Sequence, residues 1–175
     1  SRFTAIFPDT DIRPQTPVCP PRKTIEYPLP AGEPAETRWK LGQGYVIGTS
    51  QDTQTLFAAQ VLCDVLCGSN HAPLCRAVLE TGLAEDVTLS CLQPMLLLQV
   101  QNFRRDDLPA IEQTIRRTLA DLCEQGLDRE QIEASLASFE FRLRERDYGT
   151  MPRGLVFSLE ILSSWLYGGD PAARL

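Results

Sequence analysis

The order of hydrophobic periodicities along the chain constrains its fold more than any other feature. Apolar residues alternate with polar ones from Thr37 to Thr49, and again over Asp86–Leu92 and Met95–Asn102. Alternation with a period of two is typical of β-strands that bury one face. Pro94 separates the last two segments, which predicts either a hairpin or two edge-adjacent strands.

Helical spacing of apolar residues predicts five helices, two between the strands and three after them. The first runs from a capping Asp52 to about Cys67, and the second lies between Pro73 and Gly82. The last three carry the stripes Leu108–Ile111–Ile115–Leu119–Leu122, Ile132–Leu136–Phe139–Leu143 and Leu155–Leu159–Leu162–Leu166. This order predicts an α+β fold, with helices layered on one face of a mainly antiparallel sheet.

Proline sets the predicted domain boundaries. Residues 1–36 are too rich in proline for a continuous helix, so they are interpreted as a lead-in arm. Short extended pieces are expected at Phe3–Phe7 and Thr24–Tyr27, where the arm joins a sheet edge. Residues 37–171 are predicted to form a single α+β domain, and residues 172–175 to begin a linker.

Charge and hydropathy exclude two classes of partner. The net charge of -6 argues against a general nucleic-acid binder, because phosphate contact requires a basic surface. No apolar run approaches the roughly 20 residues that span a bilayer, so no membrane partner is expected. The first residues lack the apolar core of a signal peptide and do not start with Met. The chain is therefore expected to be cut from a longer protein, or processed.

Six cysteines, at positions 19, 63, 67, 75, 91 and 123, form no CxxC pair. The favoured interpretation is that they are small buried hydrophobes in a reducing intracellular compartment rather than in a secreted protein. Cys63, Cys67 and Cys75 are close in sequence, so a soft-metal site or a disulfide is the alternative.

Candidate catalytic residues are few, and His71 is the only histidine. One imidazole cannot build a histidine-rich zinc site. His71 could pair with Cys75 as base and nucleophile, or with Ser69 in a Ser-His-Asp arrangement, although no GxSxG motif supports the latter. A solvated loop histidine is the simpler interpretation.

Paired carboxylates also have structural interpretations. Asp106 and Asp107 stand where they cap a helix and complement its dipole, and Asp128 with Gln131 resembles a capping box. The pair Glu145–Asp147 lies in an arginine-rich stretch, which predicts a salt-bridged, solvated helix face. No catalytic, cofactor-binding or metal residue is therefore predicted.

Three stretches together resemble one family. They are TIEYPLP, LFAAQVLCDVLCGSNHAPLCRAVLETGLAEDV, and GLDREQIEASLASFEFRLRERDYGTMPRGLVFSLEILSSWLYGGDP. They are similar to the presequence protease branch of the insulinase–pitrilysin zinc metallopeptidases, over most of residues 20–171. The last stretch is rather specific, because its order of Pro-Arg-Gly-Leu and Trp-Leu-Tyr would rarely arise by chance.

The resemblance implies a clamshell of four homologous α+β domains, of which the first binds zinc through His-x-x-Glu-His. In that motif the histidines hold zinc and the glutamate acts as base for a zinc-bound water. Here His71 is followed by Leu74 and Cys75 where the motif requires Glu and His. The resemblance thus implies the second domain, with zinc only in the parent chain and no catalytic residue carried over.

The implied function is a non-catalytic domain of a peptide-degrading zinc metallopeptidase. It would form chamber wall and buttress the zinc-binding sibling domain, with unfolded peptide as the substrate. The alternative is a domain of a catalytically inactive relative that serves as a structural or interaction subunit. A third hypothesis, of another class, is a standalone cysteine enzyme that uses Cys75 and His71.

Overall fold

The structure is a computed structural model that describes residues 22–49, 52–92, 94–145, 149–166 and 168–172, with only the backbone at 163 and 164. The chain divides between Ala31 and Gly32 into two compact units. In the first unit, residues 22–31 contain neither helix nor strand. Thr24–Tyr27 forms no β-strand, and the extended piece expected there stays a prediction. The predicted piece at Phe3–Phe7 lies outside the described residues.

The second unit contains a three-stranded sheet within the described residues. Its strands are β1 (Trp39–Val46), β2 (Ala84–Leu92) and β3 (Met95–Phe103), in the order β1-β3-β2. Both pairings are antiparallel, and β2 and β3 form the predicted hairpin. The α+β fold class is confirmed.

The described part of this unit also contains five α-helices. They are α1 (Thr53–Cys67), α2 (Pro73–Leu79), α3 (Leu108–Gln125), α4 (Arg129–Glu145) and α5 (Arg153–Trp165). Single 3-10 turns span Ala35–Thr37 and Arg105–Asp107. No described helix is both long enough and apolar enough to cross a bilayer.

Local side chains decide where several helices begin and end. Asp52 caps α1 by accepting hydrogen bonds from the amide and hydroxyl of Thr55, which lower the pKa of the Asp52 carboxyl. Asp128 likewise accepts a hydrogen bond from the amide of Glu130 at 3.0 Å. Helix α2 ends at Leu79, before the predicted stop at Gly82. The amide and hydroxyl of Thr81 both donate to the carbonyl of Val78 and close the last turn early.

The core lies on one face of the sheet. It is formed by buried residues of α1, α2, α3, β2 and β3. They are Leu66, Leu74, Cys75, Val78, Ala84, Val87, Leu98, Val100, Phe103, Ile111 and Ile115. Helices α1 and α2 thus pack on β2, and α3 packs on α2 and contributes Ile111 and Ile115 to the same cluster. The opposite face, which we call the open face, carries Lys40, Gly42, Thr88 and Gln99 towards one end and Val46, Leu92, Met95 and Leu97 towards the other. Lys40, Gly42, Thr88, Val46 and Leu92 are exposed.

A β-bulge at Asn102 brings the end of β3 into this core. Trp39 lies opposite Phe103 and Lys40 opposite Gln101, so Asn102 has no partner on β1. Its φ of 57° lies in the left-handed region, which asparagine tolerates better than most residues. Strict alternation would place Phe103 on the face opposite Val100. Because of the extra residue, both side chains join the same buried cluster.

Candidate functional site

Two adjoining clefts lie beside α1 and α4, next to several of the residues singled out from the sequence. Their volumes are about 310 and 260 Å³, and both are bordered by Asp64 and Gly68. The first is also lined by Val65, Ser69, His71, Ala72, Gln131, Ala134 and Ser135. The second is also lined by Gln60, Cys63, Cys67, Leu89, Cys91 and Phe139.

A hydrogen bond across the helix pair forms the floor of the first cleft. The hydroxyl of Ser135 donates to Oδ2 of Asp64 at 2.6 Å, and Ser135 is only 5% exposed. The rings of Phe57 and Phe139 meet edge to face, with centroids 5.8 Å apart, and join the same two helices. Sequence reasoning missed Asp64 and Ser135. The sequence feature that could have pointed to Ser135 is its position, because it is a polar residue three residues after Ile132 on the apolar stripe of α4.

The structure brings Ser69, His71 and Asp64 to the first cleft but does not arrange them as a triad. A triad requires the carboxylate to orient the imidazole, which in turn contacts the serine hydroxyl. Here Asp64 accepts its hydrogen bond from Ser135. His71 is exposed, and no hydrogen bond or ion pair joins it to any residue in the described part of the chain. The geometry therefore favours the solvated loop histidine.

Cys75 lies in the core rather than beside His71. It is 2% exposed, and its sulfur lies 3.1 Å from the carbonyl oxygen of Val87 on β2. The Cys75 thiol also lies 3.8 Å from the carbonyl oxygen of Cys67, and the interaction between the two thiols raises the pKa of Cys67 and lowers that of Cys75. A substrate cannot reach a sulfur held against a strand in the core. The geometry gives no support to the cysteine-enzyme hypothesis.

The remaining thiols line the second cleft or the surface. Burial raises the pKa of Cys63 to about 11, with the nearby Cys91 adding to the effect, and burial also raises the pKa of Cys91. Thiols must lose a proton to bind a metal, so these are poor ligands near neutral pH. Among the described residues no three His, Cys, Asp or Glu side chains converge in a way that could hold a metal ion.

The prediction of buried cysteines holds for Cys63 and Cys75 but is wrong for Cys123. Cys123 is exposed because it follows Leu122 and so leaves the apolar stripe of α3. All five cysteines within the described ranges are free thiols, so the alternative disulfide is not formed there. Cys19 lies outside those ranges.

The described carboxylates of the two predicted pairs lie at helix ends. Asp106 and Asp107 lie in the 3-10 turn before α3, and Asp107 makes no side-chain capping bond, so its contribution is the charge alone. Glu145 is exposed at the end of α4, and Asp147 lies outside the described residues. Arg144 forms a salt bridge with Glu140 on the same helix, as expected for a solvated face.

Thiol chemistry tests this arrangement directly. We expect iodoacetamide at pH 7.5 to label Cys123 about as fast as a free thiol, and Cys63 and Cys75 at least about 100-fold more slowly, because both are buried and the raised pKa of Cys63 also keeps that thiol protonated. Peptide mapping by mass spectrometry reports each rate, and labelling in urea supplies the unprotected reference. Fast labelling of Cys75 in the native protein would contradict its buried position and revive the cysteine-enzyme hypothesis.

Comparison with known proteins places the chain in a family. Residues 8–139 match the profile described as Peptidase M16 inactive domain. The chain is 38% identical over 135 residues to Protein HypA of Clostridium perfringens, covering 75% of this chain and 14% of that protein. It is 35% identical over 125 residues to Presequence protease 1, chloroplastic/mitochondrial, of Arabidopsis thaliana, covering 69% of this chain and 12% of that protein. It is 26% identical over 184 residues to the mitochondrial presequence protease of Danio rerio, covering 100% of this chain and 18% of that protein.

Solved structures show the same fold. A chain described as a zinc protease from Bordetella pertussis superposes with a TM-score of 0.60 at 19% identity, over 75% of this chain and 74% of that one. The inactive peptidase domain from Bordetella parapertussis superposes with a TM-score of 0.62 at 16% identity, over 78% of this chain and 72% of that one. Our chain spans only 12 to 18% of the length of the three sequence relatives. The resemblance to a non-zinc-binding insulinase-like domain is confirmed, and the chain belongs to the M16 peptidase family as an inactive domain.

Proposed function

We propose that this chain is the non-catalytic domain of a larger zinc metallopeptidase that degrades peptides. The observation that carries the proposal is the match of residues 8–139 to the inactive domain of M16 peptidases. Relatives named presequence proteases support a peptide substrate, and they are several times longer than this chain. The zinc ligands and the catalytic base would then belong to a sibling domain of the same polypeptide. Residues 1–36 would be its lead-in arm and residues 172–175 the start of a linker.

The two faces of the sheet suit two roles in such a parent. We assign the chamber wall to the open face, because it presents both polar and apolar groups to solvent. Lys40 and Thr88 are exposed there, and Val46 and Leu92 on the same face are 79% and 51% exposed. Such a mixed surface can offer apolar as well as polar contacts to an unfolded peptide. The buttressing role falls to the helices on the other face. Their buried stripes make them a firm layer against which the zinc-binding domain can pack.

Metal analysis and peptide cleavage test the proposal. We expect the parent protein to contain stoichiometric zinc and to lose cleavage of an unstructured peptide when a chelator removes it. The isolated 175-residue chain should retain no zinc after dialysis and cleave nothing. Circular dichroism of that chain is the control for its folding.

Two results would count against this function in different ways. Zinc-dependent cleavage by the isolated chain would overturn the assignment as a non-catalytic domain. A parent without His-x-x-Glu-His, zinc or cleavage would instead establish the alternative, a catalytically inactive relative with a structural or interaction role.

A further inference from the structure

Asp64 is half-buried at the first cleft, and its carboxylate has no cationic partner within the described residues. None of the salt bridges there includes it, and neither a described lysine nor a described arginine lines the cleft. Its side-chain hydrogen bond comes from Ser135, which donates to Oδ2. A carboxylate partly withdrawn from water is stabilised by a nearby cation, because the pairing offsets the lost hydration. The cleft therefore has the charge to attract a positive group.

Oδ1 is the oxygen of Asp64 that remains available to a ligand. The Ser135 hydroxyl occupies Oδ2, and no other described residue donates to the carboxylate. Gly68 has no side chain, and a Cβ there would lie 2.7 Å from Oδ1. Glycine at this position thus keeps the space beside Oδ1 open, so a ligand in the cleft can reach it.

The walls of the cleft indicate the rest of the ligand. Val65, Ala72 and Ala134 supply apolar surface, and the exposed Ser69 and Gln131 add a hydroxyl and an amide at the edge. The volume of about 310 Å³ is at the lower end of the range for small-ligand pockets. A short alkyl chain that carries one cationic head matches this combination of charge, surface and size.

The free oxygen favours an ammonium ion over the other cations. A guanidinium prefers a fork of two carboxylate oxygens, which would compete with the bond from Ser135 to Oδ2. A metal ion needs several ligands, and no such group of His, Cys, Asp or Glu converges among the described residues. An ammonium ion is a compact charge with three donors, which one carboxylate oxygen and neighbouring hydroxyl or amide oxygens can accept.

We propose that the first cleft binds a primary alkylammonium group through Asp64. A lysine side chain of a peptide and a free alkylamine both carry this chemistry. The site goes beyond the function proposed above and does not depend on it, because it requires neither zinc nor peptide cleavage.

NMR titration of the intact polypeptide that contains this chain tests the site. Cys67–Gly68 is the only Cys-Gly pair in the 175-residue sequence, so carbonyl-13C cysteine with 15N glycine selects the Gly68 amide. That amide donates to the backbone oxygen of Asp64, which makes it a reporter at the cleft. We expect n-butylammonium at constant ionic strength to shift its signal with a Kd of about 1–10 mM, as for a fragment held by one charged contact.

Two further probes separate charge from shape and identify the source of the group. n-Butanol has a similar shape without the charge, and it should bind at least about ten-fold more weakly. Nα-acetyl-lysine amide presents the ammonium on a peptide side chain. Affinity within about three-fold of n-butylammonium would assign the cleft to lysine side chains, and weaker binding would assign it to free alkylamines.

Asp64→Asn is the decisive variant, because it removes the charge and keeps an oxygen that accepts from Ser135. It should weaken n-butylammonium binding at least about ten-fold. The matched control is Asp121→Asn at an exposed position of α3, which changes the net charge equally but does not line the cleft. Because exposed charges are screened, it should change the affinity by no more than about two-fold.

Gln131→Lys gives an independent check that does not alter Asp64. Position 131 is exposed on α4, one turn before Ser135, so a lysine there can place its own ammonium in the cleft without disturbing the core. It should abolish the shift caused by n-butylammonium. If Asp64→Asn fails to fold, this variant decides the matter alone.

Three results would overturn the site. They are an absence of saturable shifts in the native protein up to about 100 mM ligand, equal affinity for n-butylammonium and n-butanol, and unchanged binding in a folded Asp64→Asn or Gln131→Lys variant. Loss of binding in those two variants, with binding retained in Asp121→Asn, would support it whether or not the protein is a peptidase.

Discussion

Replacing Phe103 by alanine is expected to lower the free energy of unfolding by about 3–5 kcal/mol, because it leaves a phenyl-sized cavity. Phe103 is 2% exposed and lies in the central cluster with Val100 and Ile111. It reaches that cluster only because the bulge at Asn102 turns the end of β3. Urea unfolding monitored by circular dichroism gives the change, provided that the slope of free energy against urea stays constant.

The matched control is Phe141→Ala on α4. Phe141 is 62% exposed, so the same change of side chain should alter the free energy of unfolding by no more than about 0.5 kcal/mol. A loss below about 1 kcal/mol for Phe103→Ala would contradict the cavity mechanism. It would mean that the phenyl ring lies on the open face and that the bulge is not where the structure places it.

The strands and helices could be predicted because the sequence encodes them locally. Alternation marks the start of β3 at Met95, and a capping aspartate with an apolar stripe marks α1. The start of β3, the bounds of α1 and the fold class therefore followed from periodicity. The bulge at Asn102 could not be predicted, since it depends on the register that β1 adopts against β3. The end of α2 at Leu79 coincides with a turn in which the amide and hydroxyl of Thr81 both donate to the Val78 carbonyl, three residues before the glycine that marks the stop in the sequence.

The candidate site could be predicted only in part. The sequence drew attention to His71 and Ser69, and the structure places both at one cleft. Asp64 and Ser135 are 71 residues apart, so their hydrogen bond depends on how α4 packs against α1, which no local pattern reveals. The stripe of α5 was visible in the sequence. Its exposure was not, because burial depends on how other elements pack against a helix.

Replacing Gly68 by alanine is expected to destabilise the chain by about 1–3 kcal/mol, through overpacking at the end of α1. A Cβ at this position would overlap the backbone oxygen of Asp64 and lie 2.7 Å from its Oδ1. Backbone atoms of a helix cannot give way cheaply, so the last turn of α1 must shift. That shift would disturb the Asp64 carboxylate and its hydrogen bond with Ser135. Thermal unfolding together with urea titration measures the loss.

Gly42→Ala is the control, because nothing lies within 4 Å of a Cβ there. It should leave stability unchanged or raise it by about 0.4–1 kcal/mol, since alanine restricts the unfolded chain without straining the strand. A double-mutant cycle then locates the effect. If Gly68 acts through Asp64, Gly68→Ala in a Ser135→Ala background should destabilise less than in the native chain, with a coupling of at least about 0.5 kcal/mol. Strict additivity would show instead that the close contact at Gly68 is relieved without disturbing the cleft, and that the bond between α1 and α4 is independent of the turn that ends α1.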